Sequence, residues 1–486
     1  MEEIDEQNWD YAHRLFQCVA AVSRPLRAEE LAEFLAFDFN ASPTPSFLAD
    51  WRSEDPENEV LSICSTLLVV VKPRWGSPVI QFAHFSVKEY LTSARLAETK
   101  DIISRFHISM TPSHTVVAQA CLGVLLHLDE NITKDSLVDF PLAEYAAKHW
   151  VDHAWFEDVL SNVQDGMKRL FDPGKSHLSV WVWIYDPEPY ERRSERSERP
   201  VEAGATPLHY AAVCNMHDIA TFLINEHSQD VNSLGFDREE TPLHVSSRWG
   251  HVEISRVLLE HGADTEARDR DDYSPLEHGT TNGHVELVQA LLEHGADANA
   301  QDEEECTPLY WASEGGQLAV IQVLLDHGAD VTAQCTNDWT PLHQAEEEEV
   351  AQLLLDYGAD ANALDIKNRT PLHRISKLGY MGVAQVLLEH DADANARDAN
   401  NATPLHLASG SDHIDVAQLL LQYGSDIHAP DDEGRTPFMR ATEKEHPEMM
   451  RLLLEHGAED NRGVMTTDGQ GITRGLFFDA TVSSRS

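Results

Sequence analysis

From Thr206 to about Asp460 the apolar and polar positions of the chain recur with one long period. Thr-Pro-Leu-His stands at 206–209, 241–244, 340–343, 370–373 and 403–406, and looser copies begin at Ser274, Thr307 and Thr436. Subtracting successive starts gives steps of 35, 33, 33, 33, 30, 33 and 33 residues. Behind each copy comes an apolar run at helical spacing, closed by a Gly-Ala-Asp-like turn as in Leu258–Asp264. The pattern predicts a helix pair per period, eight in all. Upstream, Tyr11, Leu15, Phe16, Val19 and Ala20 form one stripe of a helix over Trp9–Val22. A second helix is predicted over Glu29–Phe37, a loop over Asn40–Asp50 and a third helix over Pro56–Leu67. β-Branched runs at Leu67–Val71 and Val79–Ala83, parted by Trp75-Gly76-Ser77, predict a hairpin. A fourth helix follows over Phe85–Leu96. Three amphipathic helices are then predicted, over about Thr115–Leu128, Leu142–Phe156 and Val159–Phe171.

Each repeat has a local reason for its form. Threonine can cap a helix with its side-chain oxygen, and proline at the first helical position gives up an amide that had no partner. Gly262, Gly295, Gly328, Gly358, Gly424 and Gly457 supply the left-handed residue that ends the second helix. Asp391 replaces that glycine in the sixth repeat, which predicts a weak point rather than a break. The fifth repeat is short between Ala345 and Val350, where Glu346–Glu349 replace the usual Gly-His turn. It reads as a tolerated deletion or as a hinge. The period and the tetrapeptide resemble those of ankyrin repeats, whose units bury their apolar faces by stacking on neighbours. That resemblance implies a bond between the histidine and the threonine hydroxyl across the turn.

Three helices followed by a hairpin is winged-helix order. Arg24-Pro25-Leu26-Arg27-Ala28-Glu29-Glu30-Leu31 and Phe82-Ala83-His84-Phe85-Ser86-Val87-Lys88-Glu89-Tyr90-Leu91 resemble the winged helix that follows the NACHT nucleotide-binding domain in fungal STAND, or NLR-like, proteins. Phe140-Pro141-Leu142-Ala143-Glu144-Tyr145-Ala146-Ala147-Lys148-His149-Trp150 is similar to the helical spacer of the same family. The likeness runs from Asp10 to about Asp460. It departs in one respect: the sequence holds no G-x-x-x-x-G-K-[ST], so the family's ATP switch is not carried over. The fold implied is mainly α, an ankyrin-repeat solenoid of about eight repeats preceded by a winged-helix-like domain and a helical spacer. The expected divisions are 1–105 winged helix, 106–185 spacer, 186–205 a polar linker of mixed charge, 206–460 repeats and 461–486 a disordered tail.

Charge narrows the choice of partner. The 486 residues carry 36 Lys and Arg against 83 Asp and Glu, a net −47. The segment 206–460 alone holds 48 acidic and 14 basic residues. Such a surface repels nucleic acid and anionic membranes and favours a basic partner, or else serves solubility alone. Six scattered cysteines without a Cys-x-x-Cys pair read as reduced thiols. The acidic start, Met-Glu-Glu-Ile-Asp-Glu, has no signal-peptide core, and no apolar run is long enough to span a bilayer. A cytoplasmic protein is expected, with a nuclear location as an alternative.

Candidate chemistry is sparse. A winged helix can enter a DNA groove with its third helix, yet this one begins with Glu57 and Glu59 and carries no cation before Val71. His149 and His153 lie four apart on one helix, as zinc ligands can, but the run His-Trp-Val-Asp-His lacks the glutamate of a metalloprotease. A packed helix face is the plainer reading. No G-x-S-x-G elbow is present, and no catalytic residue, cofactor site or metal site is assigned.

The ankyrin resemblance implies that partners lie across the hairpin tips and the exposed face of the first helices. Mapped onto this chain, those positions give Arg268, Arg270 and Tyr273; Gln301, Glu303 and Glu304; Trp311; Gln334, Thr336 and Trp339; Ile366 and Arg369; and Arg397. Aromatic and arginine side chains are the strongest interface anchors. Tyr273, Trp311 and Trp339 fall in neighbouring repeats and are expected on one face, with packing between repeats as the alternative for the tryptophans. The function expected is non-catalytic recognition of an unidentified protein, with a basic surface favoured by the charge. The alternatives are a fragment of an ATP-gated NACHT protein and a DNA-binding regulator.

Overall fold

A computed structural model of the chain describes residues 8–39, 41, 44–64, 67–72, 77–98, 102–188 and 204–459. The hairpin turn at Trp75-Gly76, residues 189–203 of the polar linker and the C-terminal tail lie outside these. The described residues form two compact units: those up to Ser246 with Glu253–Asp264, and Ser247–Val252 with those from Thr265 to Glu459. Among the described residues no helix is long and apolar enough to cross a membrane.

The first unit opens with α1 (Trp9–Ala21), which buries Leu15, Phe16 and Ala20 of its predicted stripe together with Ala12, while Tyr11 of that stripe is exposed. Then come β1 (Leu26–Arg27), α2 (Ala28–Glu33), β2 (Phe37–Asp38), β3 (Ser46–Phe47), α3 (Pro56–Cys64), β4 (Leu68–Val71), β5 (Val79–Phe82), α4 (Phe85–Leu91) and α5 (Ala94–Ala97). The sheet order is β1-β5-β4, with Ile80 opposite both Leu26 and Val70. The hairpin matches its prediction. Strand β1 does not appear in the sequence reading, because two residues are too short to show alternation.

Three predicted bounds need correction. The helix expected to reach Phe37 stops at Glu33, and Phe37 pairs with Phe47 inside the stretch expected as loop. The third helix ends at Cys64. The helix expected over Phe85–Leu96 is broken at Thr92–Ser93, where the Ser93 hydroxyl accepts the Leu96 amide and starts a new turn.

The spacer comprises α6 (Met110–His127), α7 (Lys134–Leu137), α8 (Ala143–Ala154), α9 (Leu160–Phe171) and α10 (His177–Ile184). The sequence reading missed α10. His-Leu-Ser-Val-Trp-Val-Trp-Ile is apolar on every side, so it shows no helical period. Its Trp181 is 1% exposed and donates its indole N–H to the Ala147 carbonyl at 2.8 Å.

The stretches that resemble the family's motifs meet here. Arg24 and the Arg27 amide both bond the buried Glu30 carboxylate, at 2.7 and 2.6 Å. The Arg27 guanidinium reaches the Pro141 carbonyl at 3.1 Å, and Glu33, paired with Arg52, accepts the Leu142 amide at 2.7 Å. Burial of Glu33 pushes its pKa up in spite of these partners.

His149 and His153 have assigned work other than metal binding. Ser23 N–H donates to the Tyr145 hydroxyl at 3.3 Å, and that hydroxyl shares a hydrogen bond with His153 Nε2 at 2.8 Å. His153 Nδ1 shares another with His114 Nδ1 at 2.9 Å, so both ring nitrogens of His153 are engaged. His149 Nδ1 lies 3.1 Å from the Ser23 hydroxyl and 3.2 Å from Asp152. Burial, then the neighbouring His114 and His149, lowers the pKa of His153 to about 3. The spacer also covers the first repeat: Trp155 donates to the Cys214 carbonyl at 2.9 Å, and Trp181 meets Tyr210 edge-on.

The second unit holds the helix pairs from Pro275–Thr281 with Val285–Glu293 to Pro437–Glu443 with Pro447–Glu455. In the repeat motif the Thr370 amide donates to His373 Nδ1 at 3.1 Å, so the ring proton sits on Nε2. That Nε2–H donates to the Ala402 carbonyl of the next repeat at 3.1 Å. His343 and His406 repeat the arrangement toward Arg369 and Arg435. The threonine hydroxyls lie 2.8–3.0 Å from Nδ1, as the family resemblance implied. The simple side-chain cap is made by Thr370 and Thr436 but not by Thr206 or Thr307. Asp391 takes the left-handed conformation of the glycines it replaces, at φ 62°. In the shortened fifth repeat the first helix has only Pro341–Gln344, and Glu348–Asp356 follows. Arg374 braces the gap from the sixth repeat, bonding the His343 carbonyl at 3.0 Å and Glu346 at 2.8 Å. Tyr380 adds a bond to Glu346 at 2.7 Å.

Candidate protein-binding surface

Five hairpin tips of the second unit are each built on one aspartate. Oδ1 of Asp269, Asp302, Asp365, Asp398 and Asp431 accepts the amides two and four residues on, at 2.8–3.0 Å. In three repeats Oδ2 of the same aspartate also takes a donor from the first helix, nine residues on: His278 at 2.8 Å, Trp311 at 2.9 Å and Arg440 at 3.0 Å. Charged acceptors make the stronger hydrogen bonds, so these contacts stiffen the tips. Adjacent tips are joined by backbone bonds: Thr336 N–H to Glu304 O at 2.9 Å, Ile366 to Asn337 at 3.2 Å, Ala399 to Lys367 at 2.8 Å and Asp432 to Asn400 at 3.0 Å.

Against this frame the predicted site residues separate. Arg268, Gln301, Gln334 and Arg397 occupy one repeat position, and each bends back to the carbonyl four residues on in its own tip. Arg268 and Arg397 also reach the carbonyls of Gln301 and Pro430 in the following tip, at 3.1 and 3.0 Å. Arg369 is ion-paired with the buried Asp365. Arg270, Glu303, Glu304, Thr336 and Ile366 are exposed, Ile366 by 56%.

The aromatic residues are half-buried. Trp311 and Trp339 pack on one cluster with Cys306, Tyr310 and Cys335, so the structure brings these two together. Tyr273 is tilted against His278, with its pKa raised by burial and by Asp302 and neighbouring carboxylates. Trp339 stacks on His343 and carries the Arg374 guanidinium 5.3 Å from its ring.

A depression of about 140 Å³ opens beside Trp339, lined by Arg369, Arg374, Lys377, Leu378 and Leu407 among others. Sequence reasoning missed Arg374, Lys377, Leu378 and Leu407. Arg374 and Leu407 stand four residues after their threonines, the position at which Trp311 follows Thr307. The signal that singled out Trp311 therefore extends to them.

Comparison with known proteins agrees with this architecture. A profile described as "Ankyrin repeats (3 copies)" matches residues 183–269, 208–302, 276–365, 342–431 and 392–464, which together run from 183 to 464. A second, "GPI inositol-deacylase, winged helix domain", matches residues 5–106. The chain is 29% identical over 275 residues to Azaphilone pigments biosynthesis cluster protein L of Monascus ruber, covering 54% of this chain and 57% of that one. It is 36% identical over 92 residues to human palmitoyltransferase ZDHHC13, covering 17% of this chain and 15% of that enzyme. The chain thus spans little more than half of the first relative and a small part of the second, which it matches through ankyrin repeats. Among solved structures, the ankyrin repeat domain of Bcl-3 is similar at 27% identity and a TM-score of 0.41, covering 45% of this chain and all of that domain. With the repeat profile covering more than half of its length, the chain belongs to the ankyrin-repeat proteins.

Proposed function

We propose that the chain is a non-catalytic recognition module. Its repeat tips would bind a protein with a basic surface, and its winged-helix and helical arm is related to the sensor half of NLR-like signalling proteins. The observation that carries this reading is the tip strip. Backbone bonds, joined by an aspartate in the tips of Glu303, Glu304 and Ile366, hold it in place while these residues and Thr336 face outward. A surface organised in advance loses little freedom on binding. Glu303 and Glu304 suit basic side chains, and Trp339 with Leu378 and Leu407 offers an apolar seat further along the repeats. The same acidic surface disfavours nucleic acid.

The test uses the full chain as bait in extract of its source, with the captured proteins identified by mass. A basic protein held by the unaltered chain and reduced at least tenfold with Ile366→Ala and Trp339→Ala together supports the reading, provided circular dichroism shows both proteins folded. Equal capture by the two would overturn it.

The winged-helix match favours a second reading, in which the same arm and sensor work within an ATP-gated NACHT protein. Immunoblotting with an antibody to the repeats separates the two. A band near 54.4 kDa supports the free-standing module, and a much larger one the ATP-gated protein.

A further inference from the structure

The fifth tip lacks the aspartate that organises the others. Cys335 stands 33 residues after Asp302 and 30 before Asp365, in the tip-aspartate position, so no carboxylate is there to accept the Asn337 and Trp339 amides. Cys306 stands 33 residues before Trp339, in the same repeat position. These two positions touch from one repeat to the next: Trp339 Nε1–H donates to Asp365 Oδ2 at 3.2 Å. In the preceding pair of repeats the same positions hold Cys306 and Cys335. Both are buried, 2% and 6% exposed, within one cluster capped by Trp311 and Trp339. The Cys306 thiol donates to the Glu304 carbonyl at 3.7 Å, the same oxygen that accepts the amide next to Cys335. The Thr336 amide, bonded to the Glu304 carbonyl at 2.9 Å, holds the two backbones side by side.

We infer that Cys306 and Cys335 are a paired oxidation site that closes to a disulfide between the fourth and fifth repeats on exposure to hydrogen peroxide. One thiol, as thiolate, attacks the peroxide O–O bond, giving a sulfenic acid and releasing one water once the leaving hydroxide is protonated. The second thiol attacks that sulfur, forming the S–S bond and releasing a second water. Two thiols lose two electrons in all, and one peroxide becomes two waters. Burial pushes the Cys306 thiol up, so the closed tip reacts slowly and the reaction runs through opening of the fifth tip. That tip is the one without the aspartate tie. Once formed, the disulfide supplies a tie in its place.

The experiment treats the folded full chain with hydrogen peroxide, then denatures it, blocks free thiols with iodoacetamide and maps peptides by mass. The expected result is a Cys306–Cys335 linked peptide, a fall from six to four alkylated cysteines, and recovery of all six after dithiothreitol. Because the map is made on the unaltered sequence, no variant has to fold. Three outcomes would overturn the assignment: alkylation of both residues after treatment, their separate conversion to sulfinic acids, or a link confined to Cys18 and Cys121, both buried in the first unit.

Discussion

The histidine of each repeat motif works only while neutral. Its Nδ1 accepts from the threonine that precedes the helix and its Nε2–H donates to the next repeat, so an added proton would leave the Nδ1 side with two opposed donors. His209 is fully buried, and burial lowers its pKa to about 4. His343, His373 and His406 are lowered by the same cause. Unfolded histidine titrates near 6.5, so between about pH 6.5 and 4 the unfolded chain binds protons that the folded one refuses. Stability is therefore full above that window and is lost as pH falls through it, by about 3 kcal/mol for His209 alone. Urea midpoints measured from pH 7 to pH 4 should fall steadily. His209→Gln, uncharged throughout, should start from a lower midpoint at pH 7 and lose less over the same range. Parallel slopes would show that His209 does not carry this proton linkage. The motif was legible in the sequence because it recurs, whereas the roles of Arg374 and Lys377 were not. Nothing in a single lysine or arginine says that its neighbour across the repeat is a tryptophan.

At the scale of elements, what the sequence revealed follows length and periodicity. Repeat helices of seven to eleven residues with one apolar stripe were readable, as was the β4–β5 hairpin. The two-residue strands β1, β2 and β3 were not, and neither was α10, whose apolar residues leave no polar face to mark the period. The short first helix of the fifth repeat was visible as a missing three residues. Its brace by Arg374 and Tyr380 was not, since the partners lie about thirty positions away. The fifth tip is weak for a separate reason, its missing aspartate, and that can be tested without oxidation. Cys335→Asp restores an acceptor for the Asn337 and Trp339 amides at a depth where Asp365 and Asp431 are already buried, 3% and 5% exposed. Each charge-assisted bond contributes about 1.5–3 kcal/mol before the desolvation of the carboxylate is subtracted, so a net gain of about 1 kcal/mol is expected. Hydrogen exchange at those two amides should slow about fivefold. Unchanged exchange would mean the amides are already protected by other acceptors.

Over the whole molecule the largest physical fact is charge, and the sequence states it outright: 83 acidic residues against 36 basic ones. What the sequence could not state is how much of that charge the fold neutralises internally. Asp365 and Asp431 are each held below the usual carboxylate range by bonds from nearby arginine residues that outweigh the cost of burial. Glu30 is held likewise by Arg24 and Arg27. These acids are committed to structure. Glu303, Glu304, Glu347, Glu348 and Glu349 are exposed, and their charge is part of the excess that repels itself across the repeats. Salt screens exposed charges beyond about 8–10 Å and leaves buried pairs nearly untouched. Two opposite responses follow from raising sodium chloride from about 0.02 M to 0.5 M, concentrations that bracket this screening range. Self-repulsion weakens, so the thermal midpoint of the free protein should rise by a few degrees. Attraction to a basic partner weakens as well, so capture should fall, chiefly through slower association. A protein whose acidic surface served solubility alone would show the first response without the second. Measuring both on one preparation therefore distinguishes a solvating surface from a binding one.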